Sequence, residues 1–188
     1  MIFSVCAEGP GPGGDTSVQG RLRLADREAR CALGRAGIRP AADKREGDGA
    51  TPAGVWPLRT VLWRPDRIGA PVSRLPGRRI RQHDGWCDAP LDTAYNRPVD
   101  LPYPASAERL WREDAVYDLV VVLGYNDSPV IPGAGSAIFL HVARPDYAPT
   151  EGCIAMALGD LLELLGRAGP GDAIYVALSA PAQLAEVT

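Results

Sequence analysis

Residues 137–142 read Ala-Ile-Phe-Leu-His-Val, and residues 149–156 read Pro-Thr-Glu-Gly-Cys-Ile-Ala-Met. The first stretch predicts a buried strand that carries His141. The second predicts a loop that delivers Cys153 just before a helix. A neighbouring imidazole and helix N-terminal amides would both favour a thiolate, so the pattern indicates a nucleophilic cysteine. Gly152 has no Cβ, so the loop can turn tightly and present N–H groups as an oxyanion hole.

The other periodic segments place this pair in an α+β chain that is mainly β. A helix is predicted over 157–167, with a buried face made of Leu158, Leu161, Leu162 and Leu165. Pro57 is expected at a sheet edge or near a strand start. The predicted strands are 21–25 and 29–33 as a hairpin, then 55–63, 116–123 and 173–178.

The long middle of the chain lacks a periodic element. Residues 64–105 carry seven prolines, and a connection of that length is usually a lid or a binding loop. We expect 83–103 to form a fixed wall of a substrate groove. Ser106 is predicted to cap a short helix that runs to Glu113.

Composition sets the class of protein. The chain has 188 residues, 46% hydrophobic and 23% charged, with 21 glycines and 18 prolines, which suits one domain over 1–188. Residues 1–19 are expected to be a first strand and a Gly/Pro loop. The net charge of −3 argues against nucleic acid as a partner, and no window is apolar enough for a membrane span. We expect a monomer.

Two motifs together resemble one known family. The segment Gly47-Asp48-Gly49-Ala50-Thr51-Pro52-Ala53-Gly54 is similar to the upstream Gly-Asp-Gly-x-Thr-Pro-x-Gly segment of the L,D-transpeptidase (YkuD) catalytic domain. His141 and Gly152-Cys153-Ile154 match that family's histidine and the core of its cysteine motif. The resemblance covers about residues 20–178 and implies β-sandwich-like sheets with short helices.

The resemblance implies peptidoglycan cross-linking without a cofactor or a metal. Cys153 would form a thioester with one stem peptide, and His141 would act as general base and then general acid. Gly152 would contribute to the oxyanion hole, and either Thr150 or a backbone carbonyl would orient the imidazole. The implied partners are peptidoglycan stem peptides and glycan strands. The implied location is the periplasm or cell envelope, although the chain's start does not read as a signal peptide.

Three positions depart from the family pattern. Thr150-Glu151 stands where Ser/Thr-His is usual, Ala155 replaces an arginine, and His141 and Cys153 are only twelve positions apart. The substrate subsites are therefore expected to differ. The wider pattern is similar to a proteobacterial branch in which some members form 1,3-type bridges, between L-Ala and diaminopimelate.

Candidate substrate residues lie mostly in the middle segment. Trp86 offers a face for stacking on a sugar, Arg97 a fork for stem carboxylates, and Arg144 a replacement for the missing arginine. Each could equally be a plain core or loop residue. The full set is His83, Trp86, Asp88, Tyr95, Asn96, Arg97, Tyr103, Arg144 and Glu151.

Other functions remain open at this level. Water could resolve the thioester, which would make the protein a carboxypeptidase or a hydrolase that detaches cell-wall protein. A zinc peptidase would use His83, His141 and acidic residues, and a glycan-binding module would use Trp86 and Tyr103 with an inert Cys153. Among the four cysteines, Cys6 and Cys31 are the expected pair in an oxidising compartment, although spacing does not fix connectivity.

Overall fold

The computed structural model describes residues 1–9 and 18–178. Most of the predicted Gly/Pro loop lies outside these ranges. The strands are β1 Ile2–Ala7, β2 Gln19–Leu24, β3 Arg27–Ala32, β4 Ile38–Pro40, β5 Thr51–Trp63, β6 Gly77–Arg79, β7 Asp84–Cys87, β8 Pro98–Asp100, β9 Ala107–Arg109, β10 Leu119–Leu123, β11 Phe139–Val142, β12 Ile154–Met156 and β13 Ala173–Val176. The described α-helix is α1 Leu158–Arg167, and 3₁₀ turns span Ala41–Asp43 and Ala115–Tyr117.

The larger sheet closes on itself. Its strand order is β10-β11-β12-β3-β2-β1-β13-β5-β4, and β5 also pairs with β10. β6 pairs with β5 outside this path. The chain is thus mainly β, as predicted, and the closure leaves few unpaired edges around the central strands. None of the helices in the described ranges is long and apolar enough to cross a membrane.

The hairpin prediction is confirmed, whereas the placement of Pro57 at an edge is wrong. β2 and β3 pair antiparallel with Leu22 opposite Ala29. β5 is long and central, pairing first with β13, where Ala173 faces Pro57, and then with β10, where Leu123 faces Leu58. Pro57 stands where β5 changes partner, a position at which its missing N–H costs little.

Two apolar layers lie on either side of the strand pair β10–β11. Val120 and Val122 point to one layer, and Leu119, Val121 and Leu123 point to the other. Every residue of β10 is buried, which explains why its sequence is continuously apolar rather than alternating. The layer with Val120 is the one that contains Cys153.

The helix is confirmed, with a different buried face. α1 buries Leu161, Leu164 and Leu165, while Leu162 is 38% exposed. The predicted stripe had included Leu162 in place of Leu164. Leu158 packs against the core from a half-buried position.

The middle segment forms a second, three-stranded sheet in the order β8-β7-β9. β9 pairs antiparallel with β7 through Trp86 opposite Glu108. The predicted helix from Ser106 to Glu113 is therefore wrong, because backbone pairing with β7 outweighs the local capping signal. Leu110 and Tyr117 anchor this region in the second apolar layer.

All four cysteines are free thiols. Cys6 pairs across β1–β2 with Arg21, whereas Cys31 pairs across β2–β3 with Gly20. Adjacent register positions point to opposite faces of a sheet, so Cys6 and Cys31 do not form the expected disulfide.

Candidate active site

Strand alternation brings His141 and Cys153 to one face of the sheet. β11 and β12 run parallel with Leu140 beside Ile154 and His141 beside Ala155. Leu140 and Ile154 point into the main core, so His141 and Cys153 point to the opposite side. Both are nearly covered, at 6% and 8% exposure. The sequence-predicted pair is thus assembled by a parallel register between short strands.

The cysteine lies before a strand rather than before the helix. Ile154–Met156 pairs with both β11 and β3, and α1 begins only at Leu158. The expectation that helix N-terminal amides act on Cys153 is therefore wrong. The local donor is instead a strand amide, because the Phe139 N–H lies 3.4 Å from Sγ. Sγ in turn donates to the Ala137 carbonyl at 3.1 Å.

Thr150 holds the cysteine loop in shape. Its hydroxyl accepts from the Gly152 N–H at 3.1 Å and donates to the Cys153 carbonyl at 2.7 Å. Gly152 has φ +132°, and a Cβ there would lie 2.8 Å from the Ala50 carbonyl oxygen. The Gly152 N–H is already used by Thr150, so it is not available to an oxyanion in this conformation.

The Gly-Asp-Gly segment, residues 47–54, also holds the cysteine loop in place. The Thr51 hydroxyl accepts from the Gly34 N–H at 2.8 Å and lies 3.4 Å from the Cys153 carbonyl oxygen. Asp48 shapes the turn before it by accepting from the Ala50 N–H and from buried Lys44. The two motifs, one hundred residues apart in the chain, thus meet at one backbone carbonyl.

The imidazole is oriented by a backbone carbonyl rather than by Thr150. His141 Nδ1 lies 2.9 Å from the Val142 oxygen. A carbonyl oxygen only accepts, so Nδ1 carries the proton and Nε2 keeps its lone pair. The Tyr117 ring packs edge-on against this imidazole with centroids 5.3 Å apart.

The electrostatics favour a neutral pair at rest. Burial lowers the pKa of His141 to about 4, with Arg112 and Arg144 acting in the same direction. Burial and the Glu108 carboxylate raise the pKa of Cys153 to about 12, while the Phe139 N–H and Lys44 lower it. These directions favour an uncharged Cys153 thiol, whereas the sequence led us to expect a thiolate, and the protonation state stays a prediction. A neutral imidazole with a lone pair on Nε2 can serve as a general base for a thiol in the same cleft.

A cleft of about 630 Å³ opens over this pair. Among the predicted residues, it takes in His141, Cys153, Thr150, Asp88, Arg144 and Glu151. The sequence interpretation missed the other charged and aromatic members of the lining, namely Glu46, Glu108, Arg109, Arg112 and Tyr117. Glu46 stands one residue before the Gly-Asp-Gly segment, which was the one available signal.

Other predicted substrate residues line a separate cavity of about 320 Å³. Trp86, Asn96 and Arg97 belong to it. Asn96 is buried, and its side chain accepts from the Trp86 indole and the Ala137 N–H and donates to two carbonyls. Trp86 also packs edge-on against Phe139. These two side chains therefore fix the wall behind the cysteine.

The last three predicted residues lie outside both linings. Tyr95 is buried and donates to Glu46, the cleft residue, at 2.5 Å. Tyr103 donates to Asp92 at 2.9 Å. His83 is exposed and faces Asp100 at 3.9 Å. Their roles toward substrate stay predictions.

The two histidines of the chain do not converge, since only His141 lines the cleft. The zinc-peptidase alternative needed both His83 and His141. Within the described part of the chain, no group of three or more His, Cys, Asp or Glu side chains is placed to hold a metal ion.

Comparison with known proteins agrees with this geometry. No match was found among curated proteins, and none among solved structures. The family model for the L,D-transpeptidase catalytic domain, YkuD, matches residues 18–176. That span includes the Gly-Asp-Gly segment, the histidine strand and the cysteine loop. The chain belongs to the YkuD family of L,D-transpeptidase catalytic domains.

Proposed function

We propose that this protein is a cysteine acyltransferase that joins peptidoglycan stem peptides through a thioester on Cys153. The observation that supports the proposal is that His141 and Cys153 line one cleft, with His141 Nδ1 held 2.9 Å from the Val142 carbonyl oxygen so that Nε2 keeps its lone pair. His141 takes the thiol proton as Sγ attacks a donor carbonyl. It then returns a proton to the leaving amine.

The backbone supports the tetrahedral intermediate. Because Thr150 engages the Gly152 N–H, we assign the oxyanion contact to the Cys153 N–H, which the same hydroxyl holds in place through the Cys153 carbonyl. Thr150 is thus a positioning residue for the nucleophile.

Two guanidinium groups supply the positive charge that Ala155 lacks. Arg112 donates two hydrogen bonds, of 2.7 and 2.8 Å, to the Asp114 carboxylate, and the Arg144 guanidinium lies 3.6 Å from the same carboxylate. Both line the cleft. We propose that they bind a stem-peptide carboxylate. The sequence predicted Arg97 for such a contact and Arg144 as the replacement for the missing arginine, whereas Arg97 lines the separate cavity.

The cross-link type and the location extend this proposal. Family members act on the cell wall, which implies an envelope location. We propose the periplasm, and a 1,3-type bridge as the product. Hydrolysis uses the same thioester, with water in place of the acceptor amine.

The test is mass spectrometry of purified muropeptides incubated with the enzyme. We expect cross-linked dimers, and an acyl adduct on Cys153 in a stopped reaction. Prolonged treatment with iodoacetamide at alkaline pH should abolish the activity, and a chelator should not. Cys153→Ala should form no product while it unfolds like the wild type. Wild-type yields of dimer from that variant would rule out the proposal.

A further inference from the structure

One carboxylate in the cleft has no part in the mechanism above. Glu108 lies on β9 and lines the same cleft as Cys153 and His141. Its Oε1 accepts from the Tyr117 hydroxyl at 2.6 Å. Within residues 1–9 and 18–178, no hydrogen bond to Oε2 is recorded. The side chain is 30% exposed, so one oxygen is left to meet a ligand in the cleft.

Glu108 is held in a fixed relation to the reacting pair. The Tyr117 ring that bonds it packs edge-on against His141 at 5.3 Å and against Phe139 at 6.0 Å. Burial keeps the Tyr117 pKa well above its usual value, so its hydroxyl stays a donor. Glu108 is also the charged side chain that most strongly raises the pKa of Cys153, which places its carboxylate within electrostatic reach of the nucleophile.

The surroundings make this carboxyl able to take up a proton. Burial raises the pKa of Glu108, and the nearby carboxylates of Asp88 and Glu46 act in the same direction. The hydrogen bond from the Tyr117 hydroxyl opposes this rise in pKa most strongly, and Arg112 also opposes it from 4.0 Å, with its guanidinium paired to Asp114. Glu108 is thus paired only at long range. Arg112 lies 4.0 Å from Oε1, the oxygen that also accepts from Tyr117, so Oε2 is left for a cation from solution to contact.

The cleft lining carries charges of both signs. Glu46, Asp88, Glu108 and Glu151 carry negative charge, while Arg109, Arg112 and Arg144 carry positive charge. A carboxylate ligand is attracted to the second set and a protonated amine to the first. A reaction with water needs no cation site, whereas aminolysis must bring in a primary amine that is protonated in solution near neutral pH.

We propose that Glu108 binds the ammonium group of the acceptor and takes its first proton, and so directs the Cys153 thioester to an amine rather than to water. The inference rests on the proposed function. The ammonium gives one proton to Glu108, and the free amine attacks the thioester carbon. The new C–N bond forms as the C–S bond breaks, and the second amine proton passes through His141 to Sγ. Glu108 then releases its proton to solvent.

The test measures how the acyl-enzyme divides between two products. Enzyme, donor muropeptide and a series of acceptor-amine concentrations are incubated, and mass spectrometry counts cross-linked and hydrolysed product per acyl-enzyme formed. We expect Glu108→Gln to lower the ratio of aminolysis to hydrolysis by about 10²-fold. The ratio cancels any loss in acylation, so a merely structural defect would not change it.

Matched variants separate charge from shape. Glu113→Gln removes the same charge from an exposed position outside this cleft and should leave the ratio unchanged. Glu108→Asp keeps the carboxylate and should recover part of the ratio. An unchanged ratio in Glu108→Gln, or an equal loss in the Asp and Gln variants, would overturn the proposal. If wild-type enzyme forms no acyl adduct on Cys153, the proposed function fails and this inference fails with it.

Discussion

The neutral resting pair makes a specific prediction about the reactivity of Cys153 toward iodoacetamide. Alkylation requires the thiolate. A thiol with a pKa of about 12 is ionised at pH 7 to about 10⁻⁵, against about 10⁻² for a thiol at the ordinary value of 9.0. Cys153 in the folded protein should therefore react about 10³-fold more slowly than the same residue in protein unfolded by urea. Its rate should rise about tenfold for each pH unit from 7 to 10.

The assay is a pH series of alkylation, with peptide mapping to read Cys153 apart from the other three cysteines. The urea-unfolded sample is the internal reference and should level off near pH 9. A preformed imidazolium–thiolate pair would behave differently, because its rate would be flat across pH 5 to 8. Such a flat profile in the folded protein would refute the neutral-pair reasoning and restore the thiolate expected from the sequence.

Three further predictions concern stability and the cysteine loop. His141 in the unfolded chain gains a proton between pH 6.5 and about 4, while the buried imidazole does not. The free energy of unfolding of the wild type should therefore fall by about 3 kcal/mol over that pH range. Urea unfolding at several pH values should show a smaller fall for His141→Gln, and an equal fall in both proteins would contradict the prediction. Thr150→Val should lower the free energy of unfolding by about 1–3 kcal/mol, because it removes the partner of the buried Gly152 N–H and one of the two hydroxyls at the Cys153 carbonyl. Thr150→Ser should recover most of this loss, and a Ser variant as unstable as the Val variant would contradict it. Gly152→Ala should lower the free energy of unfolding by about 1–3 kcal/mol and slow the alkylation of Cys153, because alanine is strained at φ +132°. The control Gly159→Ala has open space around its Cβ position and should have neither effect. Equal thermal unfolding of the two variants would count against this loop geometry.

The sequence predicts secondary structure correctly where the pattern of apolar residues is local. The hairpin of β2 and β3 and the helix near residue 160 each repeat apolar residues at the spacing of their own structure, and the strand with His141 is a short continuous apolar run. The two family motifs were also recoverable, because each needs special residues. Thr51 reaches the Cys153 carbonyl, and Gly152 adopts a backbone angle that favours glycine.

The sequence failed where a long-range pairing decides the local structure. Ile154–Met156 has only three residues, so no period can be read from it, and its strand conformation comes from its neighbours β11 and β3. The Ser106 region failed similarly, since β7 recruits Ala107–Arg109 as a strand. The sequence interpretation also missed two site residues in this region, Glu108 and Arg112. A helix would have placed them on one face as an i, i+4 pair, whereas in the structure Glu108 lies on β9, Arg112 follows that strand, and both line the cleft.

The replacement of arginine by Ala155 changes where a substrate anion can be held. Ala155 is 2% exposed and lies in register with His141 on one side and Ala32 on the other. A guanidinium at this place would rise from the floor of the cleft, directly beside the imidazole. We propose that Arg112 and Arg144, which lie on the chain segments after β9 and β11, supply the positive charge instead. If the guanidinium that binds the donor carboxylate lies on these segments rather than at position 155, the carboxylate lies at a different distance from Sγ. A shifted anchor brings a different peptide bond of the stem to the nucleophile, and we infer that an altered cross-link position would arise in this way.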